Sequence, residues 1–173
     1  MERKDLLEAN GAIFSGANLS DVNFESSELA GARLNGARAR GANFESVDLT
    51  DAMLQACDFE GSNLESTRMR GAVMCGAKLM RVNLESSELS GADLSGADLS
   101  EANLESARMD SVNLAGAKLR GANLESARLD EADLGGADCR EANFEGADLS
   151  GAKLEGARLE RAHLEDARGY QGS

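Results

Sequence analysis

The chain has 173 residues, 31 acidic and 18 basic, for a net charge of −13, with no proline, no tryptophan and only three cysteines. That balance argues against direct binding to nucleic acid or to an anionic membrane surface, and allows a partner with a basic surface. No apolar run approaches the length of a membrane span, and MERKDLLEA at the N-terminus lacks the hydrophobic core of a signal peptide.

Residues 1–11 precede any repeat and are expected to cap the repeats, with Leu6 and Leu7 as an apolar lid. From Ala12 the chain repeats every five residues without an insertion, through Phe14, Leu19, Phe24, Leu29 and Leu34 and on to Leu164. A small residue stands two before each of these centres, as at Ala12, Ala17, Val22, Ser27 and Ala32. A period of twenty lies over the first: NFES at 23–26 and 43–46, NLES at 63–66, 83–86, 103–106 and 123–126, NFEG at 143–146 and HLED at 163–166. Fixed-period self-similarity is the mark of a solenoid.

A five-residue apolar repeat spirals around an α-helix and gives it no buried face. The spacing of two between the small residue and the centre is strand alternation, and the step of three to the next small residue breaks it once per pentad. Each pentad is therefore a short side and a corner, and twenty residues close a four-sided coil. The fold expected over 12–168 is an all-β, right-handed quadrilateral parallel β-helix of about eight coils, ending in a short tail, 169–173. Centres fill the axis. Ala39 and Cys139 are undersized centres, and Ala39 should leave a void or a repacked neighbour. Inward Ser27, Ser62, Thr67 and Ser87 must hydrogen-bond to backbone.

Glycine occupies one corner column (Gly16, Gly36, Gly76, Gly96, Gly116, Gly136, Gly156), where the turn requires positive φ. The corner with Ser26, Ser46, Ser66, Ser86, Ser106 and Ser126 is expected to be a different turn with negative φ.

The pentads Ala92-Asp93-Leu94-Ser95-Gly96 and Ala17-Asn18-Leu19-Ser20-Asp21 resemble those of the pentapeptide-repeat family. The resemblance covers about nine-tenths of the chain. It implies the four-sided β-helix, diverse functions and few catalytic roles. Some relatives protect type II topoisomerases from quinolones as acidic dimeric rods that mimic duplex DNA. This chain has neither the projecting loops nor the long terminal helix of the best-known protective members.

No catalytic or cofactor-binding constellation emerges. His163 is the single histidine, the cysteine spacings match no zinc motif, and no glycine loop opens a helix to hold phosphate. Cys57 and Cys139 fall inside the coil and Cys75 outside, so no disulfide is expected and a reducing, cytoplasmic location is.

Two outward ladders stand out. Arg38, Asp58, Lys78, Asp98, Lys118, Asp138 and Arg158 alternate in sign, which reads as register support between stacked coils. Glu25, Glu45, Glu65, Glu85, Glu105, Glu125, Glu145 and Glu165 stack like charges beside a column of asparagines. This is the candidate interaction face, although duplication of one coil would also copy it. At the far end Leu149, Leu154, Leu159 and Leu164 form the axis of the last coil, and with Tyr170 they are the expected interface of a homodimer. The function this supports is a non-enzymatic scaffold for protein–protein interaction. The alternative is an acidic DNA-mimic modulator of a type II topoisomerase (gyrase) or another DNA-binding protein.

Overall fold

A computed structural model describes residues 8–170. The expected lid of Leu6 and Leu7, and the tail beyond Tyr170, lie outside the described residues. Every fifth residue forms a parallel β-bridge with the residue twenty further on, from Glu8 with Glu28 to Asp148 with Arg168. Residues 8–167 thus make eight turns of twenty, a right-handed quadrilateral β-helix on the order of 40 Å long at the usual strand spacing. No helix occurs among the described residues.

The four sides are defined by their bridge columns. The first runs from Ile13 to Lys153, the second from Asn18 to Arg158, the third from Asn23 to His163 and the fourth from Glu8 to Arg168. Within each pentad the centre and corner N–H groups donate to the coil above, and the bridge N–H donates to the coil below. Leu104 to Asn123 O (2.7 Å), Ser106 to Glu125 O (2.9 Å) and Asn103 to Val82 O (2.9 Å) are one such set. Each corner is closed by a bond from the small residue back to the preceding centre, as from Ala107 N to Leu104 O at 3.1 Å. Proline would remove one of these donors at four of every five positions, which accounts for its absence.

Leu94, Leu99, Leu104 and Met109 are fully buried in one coil, as the period demands. Ser62, Thr67 and Ser87 donate their hydroxyls to Phe59 O, Leu64 O and Leu84 O at 2.6 Å, so these inward polar groups are satisfied. Ser27, nearer the rod's start, makes no such bond among the described residues.

The corners depart from expectation. Every corner from Gly11 to Asp166 has positive φ, including Ser66 (55°), Ser86 (55°), Ser106 (56°) and Ser126 (56°). The serine corner is therefore the same turn as the glycine corner. The inter-coil bond from the corner N–H and the closing bond across the turn fix the backbone, whatever the side chain. A non-glycine residue there costs roughly 1–2 kcal/mol in intrinsic strain, and half of the 32 corners accept it. Non-glycine corners lie at 53–64°, in the left-handed helical well, and the glycines at 63–72°.

The undersized centres are matched by large ones. Ala39 is fully buried, and the next centre in its coil is Phe44, while Phe59 stands directly above it. Phe44 stacks on Phe24 (centroids 4.7 Å apart) and meets Phe59 edge-on at 5.4 Å. Cys139 is likewise followed by Phe144. The neighbours, then, take up the volume.

Candidate functional site

The third side is the most uniform surface. Its asparagines form an unbroken amide ladder: Nδ2 of Asn43, Asn63, Asn83, Asn103, Asn123 and Asn143 each donates to Oδ1 of the asparagine one coil below at 3.1–3.3 Å. The same Oδ1 accepts the backbone N–H two residues on, as from Glu105 N to Asn103 Oδ1 at 3.3 Å.

The second amide proton reaches the glutamate ladder. Nδ2 of Asn63, Asn83, Asn103, Asn123 and Asn143 donates to Oε2 of Glu45, Glu65, Glu85, Glu105 and Glu125 at 3.2–3.5 Å. Asn63, Asn83, Asn103 and Asn123 thus use both protons and both lone pairs. The glutamates are held in line, half-buried from Glu45 to Glu125 and exposed at Glu25, Glu145 and Glu165. Sequence reasoning placed these two ladders side by side and missed that they interlock; the constant separation of eighteen residues between Glu and Asn was the available signal. At the end, His163 takes the asparagine's place, and its Nδ1 lies 3.9 Å from Glu165.

Charge is unevenly divided. The third side carries the eight glutamates and Asp166 with no arginine or lysine, nine negative charges. The fourth side has nine carboxylates against five basic residues. The second has eight against nine and the first three against two, so these two sides together are neutral. Glu2, Arg3, Lys4 and Asp5 also cancel, and the whole net charge of −13 resides on two adjacent sides.

The alternating ladder on the second side pairs differently from the simple stacking expected. Lys118 and Asp98 pair up the column at 3.3 Å. Asp58 instead takes Arg40 at 2.8 Å, and Asp138 takes Arg140 in a two-pronged contact, 2.6 Å from Nε. That hydrogen bond, opposed by slight desolvation, holds the Asp138 carboxyl down at about 2. Arg40 reaches Asp58 diagonally in the coil above, and Arg140 folds back on Asp138 in its own coil, geometries that column order alone does not reveal.

No reactive centre is built by the described residues. Cys57 and Cys139 are buried, and desolvation raises their thiols to about 11 and about 12, far from a reactive thiolate. Cys57 Sγ donates to Leu34 O at 2.8 Å. Among the described residues no cluster of His, Cys, Asp or Glu is placed to hold a metal ion, and no helix is long and apolar enough to cross a membrane.

The last coil is less enclosed than those inside the rod. Leu149 is buried, but Leu154, Leu159 and Leu164 are only partly so. The N–H groups of Gly156, Leu159, Arg161, Leu164 and Asp166 have no backbone partner among the described residues, whereas their counterparts one coil earlier all donate upward. At Gly169 the register ends. Its φ is +74°, and a Cβ there would lie 2.5 Å from the Ser150 backbone, so the chain turns across the coil and packs Tyr170 against the core's edge.

The family model for pentapeptide repeats matches residues 27–65, 57–96, 87–125 and 127–166, with eight copies. The chain belongs to the pentapeptide-repeat family. Among solved structures, it is similar to a trypsin-treated variant of QnrB1, a plasmid-mediated fluoroquinolone resistance protein. Identity is 22% over 94% of this chain and 89% of that one, with a TM-score of 0.50. It is also similar to HetL from the cyanobacterium Nostoc sp. strain PCC 7120, involved in heterocyst differentiation regulation, at 27% identity, 93% and 88% coverage and a TM-score of 0.42. A third is a pentapeptide-repeat protein of the Arabidopsis thaliana thylakoid lumen, at 31% identity over 53% of this chain and 68% of that one, TM-score 0.46. No functionally curated protein matches the sequence.

Proposed function

We propose that the protein is a non-enzymatic scaffold that binds a basic surface of another protein through its third side. The observation that carries this reading is the interlocked Asn–Glu ladder. It holds a row of carboxylates in fixed line, and a fixed row loses little side-chain entropy when a partner docks. Replacing Glu65, Glu85, Glu105 and Glu125 with glutamine should abolish capture of its partner from extracts of the source cell while leaving the melting temperature unchanged or raised. Retained capture by this variant would place the contact elsewhere and refute the proposal.

A second reading, modulation of a type II topoisomerase by DNA mimicry, is favoured by the same acidic line. The line offers one carboxylate per ~4.8 Å of axis, against one phosphate per ~1.7 Å of duplex DNA. A groove built for DNA would meet about a third of the usual charge density, which ranks this reading second. Gyrase supercoiling assayed with and without a quinolone tests it directly: no effect on either reaction excludes it.

The last coil supports self-association. Its partly exposed leucines lose roughly 25 cal/mol for each Å² of apolar surface left in water, and five of its upward N–H groups have no backbone partner among the described residues. A two-fold dimer through this end, with Leu164 and Tyr170 in the contact, would cover both ends and close. Light scattering at tens of micromolar should show a dimer that Leu164→Lys dissociates. A monomer, or a dimer indifferent to that change, overturns the assignment.

A further inference from the structure

The corner between the first and second sides carries glycine in seven of its eight coils, more than any other corner. At Gly16, Gly36, Gly76 and Gly96 an added Cβ would meet nothing within 4 Å; the other corners are mixed, open at Gly31, Gly61 and Gly91 but with an aspartate oxygen within 2.9 Å at Gly41 and Gly71. A furrow follows this corner along the rod. One stretch of about 250 Å³ runs from Gly16 to Lys78, and another of about 430 Å³ from Gly76 to Lys118, sharing Lys78 as a wall.

The furrow lies away from the rod's net negative charge. It divides the two sides that together carry no net charge, diagonally across from the corner shared by the acidic pair. Of the cations on its wall, Lys118 is held by Asp98, and Arg40 by Asp58 and Glu60. Arg38 and Lys78 are exposed, and no carboxylate lies within ion-pair distance of either among the described residues. Asp58, which stands between them in the column, is already engaged by Arg40. These two cations are two coils apart, about 9.6 Å at the usual strand spacing.

From this geometry we infer that the furrow is a docking groove for an extended acidic segment of a partner protein. A polyproline II segment rises about 3.1 Å per residue with three residues per turn. Carboxylates at every third position of such a segment fall on one face about 9.3 Å apart, matching Arg38 and Lys78. The glycine corners let the segment's backbone approach the rod closely, and the two neighbouring sides together carry no net charge to repel it. This site is independent of the acidic face, and its occupant has the opposite charge.

The test is fluorescence anisotropy with a labelled dodecapeptide, Glu-Pro-Pro repeated four times, and the matching Gln-Pro-Pro peptide, at low and high salt. The acidic peptide should bind saturably and weaken with salt, and the glutamine peptide should not bind. Arg38→Gln combined with Lys78→Gln, both exposed positions, should weaken binding at least tenfold with the melting temperature unchanged. Glu65→Gln combined with Glu85→Gln should leave binding intact, which separates this groove from the acidic face. No binding at millimolar protein, equal binding of the two peptides, or indifference to the Arg38 and Lys78 changes would overturn the inference. Tighter binding of a duplex oligonucleotide to the same residues would overturn it in favour of a nucleic-acid site.

Discussion

Ala39→Leu is expected to destabilise the rod, although it restores the residue type found at most centres. The site is fully buried, with Phe44 beside it and Phe59 above, and adding three carbons to a filled core costs about 1–3 kcal/mol. Phe44→Leu alone should also destabilise, by roughly 1–2 kcal/mol, through lost burial and a residual cavity. Together the two changes reproduce the arrangement of Leu99 followed by Leu104, and the double variant should be more stable than either single one. A coupling on the order of 1–2 kcal/mol in urea unfolding is the expected result. Strict additivity would show that Ala39 and Phe44 do not share one volume.

The second large effect concerns the amide ladder. Asn103 takes part in four hydrogen bonds: to Asn83 and Glu85 through Nδ2, and from Asn123 and the Glu105 N–H through Oδ1. Asn103→Leu removes all four and leaves half-buried partners unpaired, for a loss of about 2–4 kcal/mol. Asn103→Asp keeps both acceptor roles but presents a carboxylate to Asn83 Oδ1 and to Glu85. It should be at least as damaging at neutral pH. Urea unfolding is the measurement, and a loss below about 1 kcal/mol for both variants would mean that water replaces the ladder without cost.

The centre positions, the closing of four sides in twenty residues and the burial of Leu94, Leu99, Leu104 and Met109 were all legible in the sequence, because each follows from which residues are apolar and how far apart they stand. The conformation of Ser86 was not. Side-chain preference argues against positive φ for serine, but the bonds from Ser86 N to Glu105 O (2.9 Å) and from Ser87 N to Leu84 O (3.2 Å) belong to the coil and override it. Nor could the column of alternating charges disclose that Asp58 prefers Arg40 over Arg38. That choice depends on side-chain reach across a diagonal, which one-dimensional spacing does not encode. The eight glutamates were visible as a face, yet their attachment to the asparagines required knowing that a residue two past one bridge meets the bridge of the next coil.

The unbroken register has a consequence for how such a chain can change length. Excising residues 88–107 would join one coil to its like and leave every ladder aligned. Excising only 88–92 would advance everything downstream by one side: Arg108 would land above Asn83, and Asn103 above Lys78. The amide stack would end there and the charge columns would be scrambled. Insertions and deletions are therefore tolerable in whole coils and disruptive in single pentads. Growth by copying coils carries each glutamate along with its asparagine, so a gene lengthening in this way would inherit a complete acidic face before any partner existed to select it.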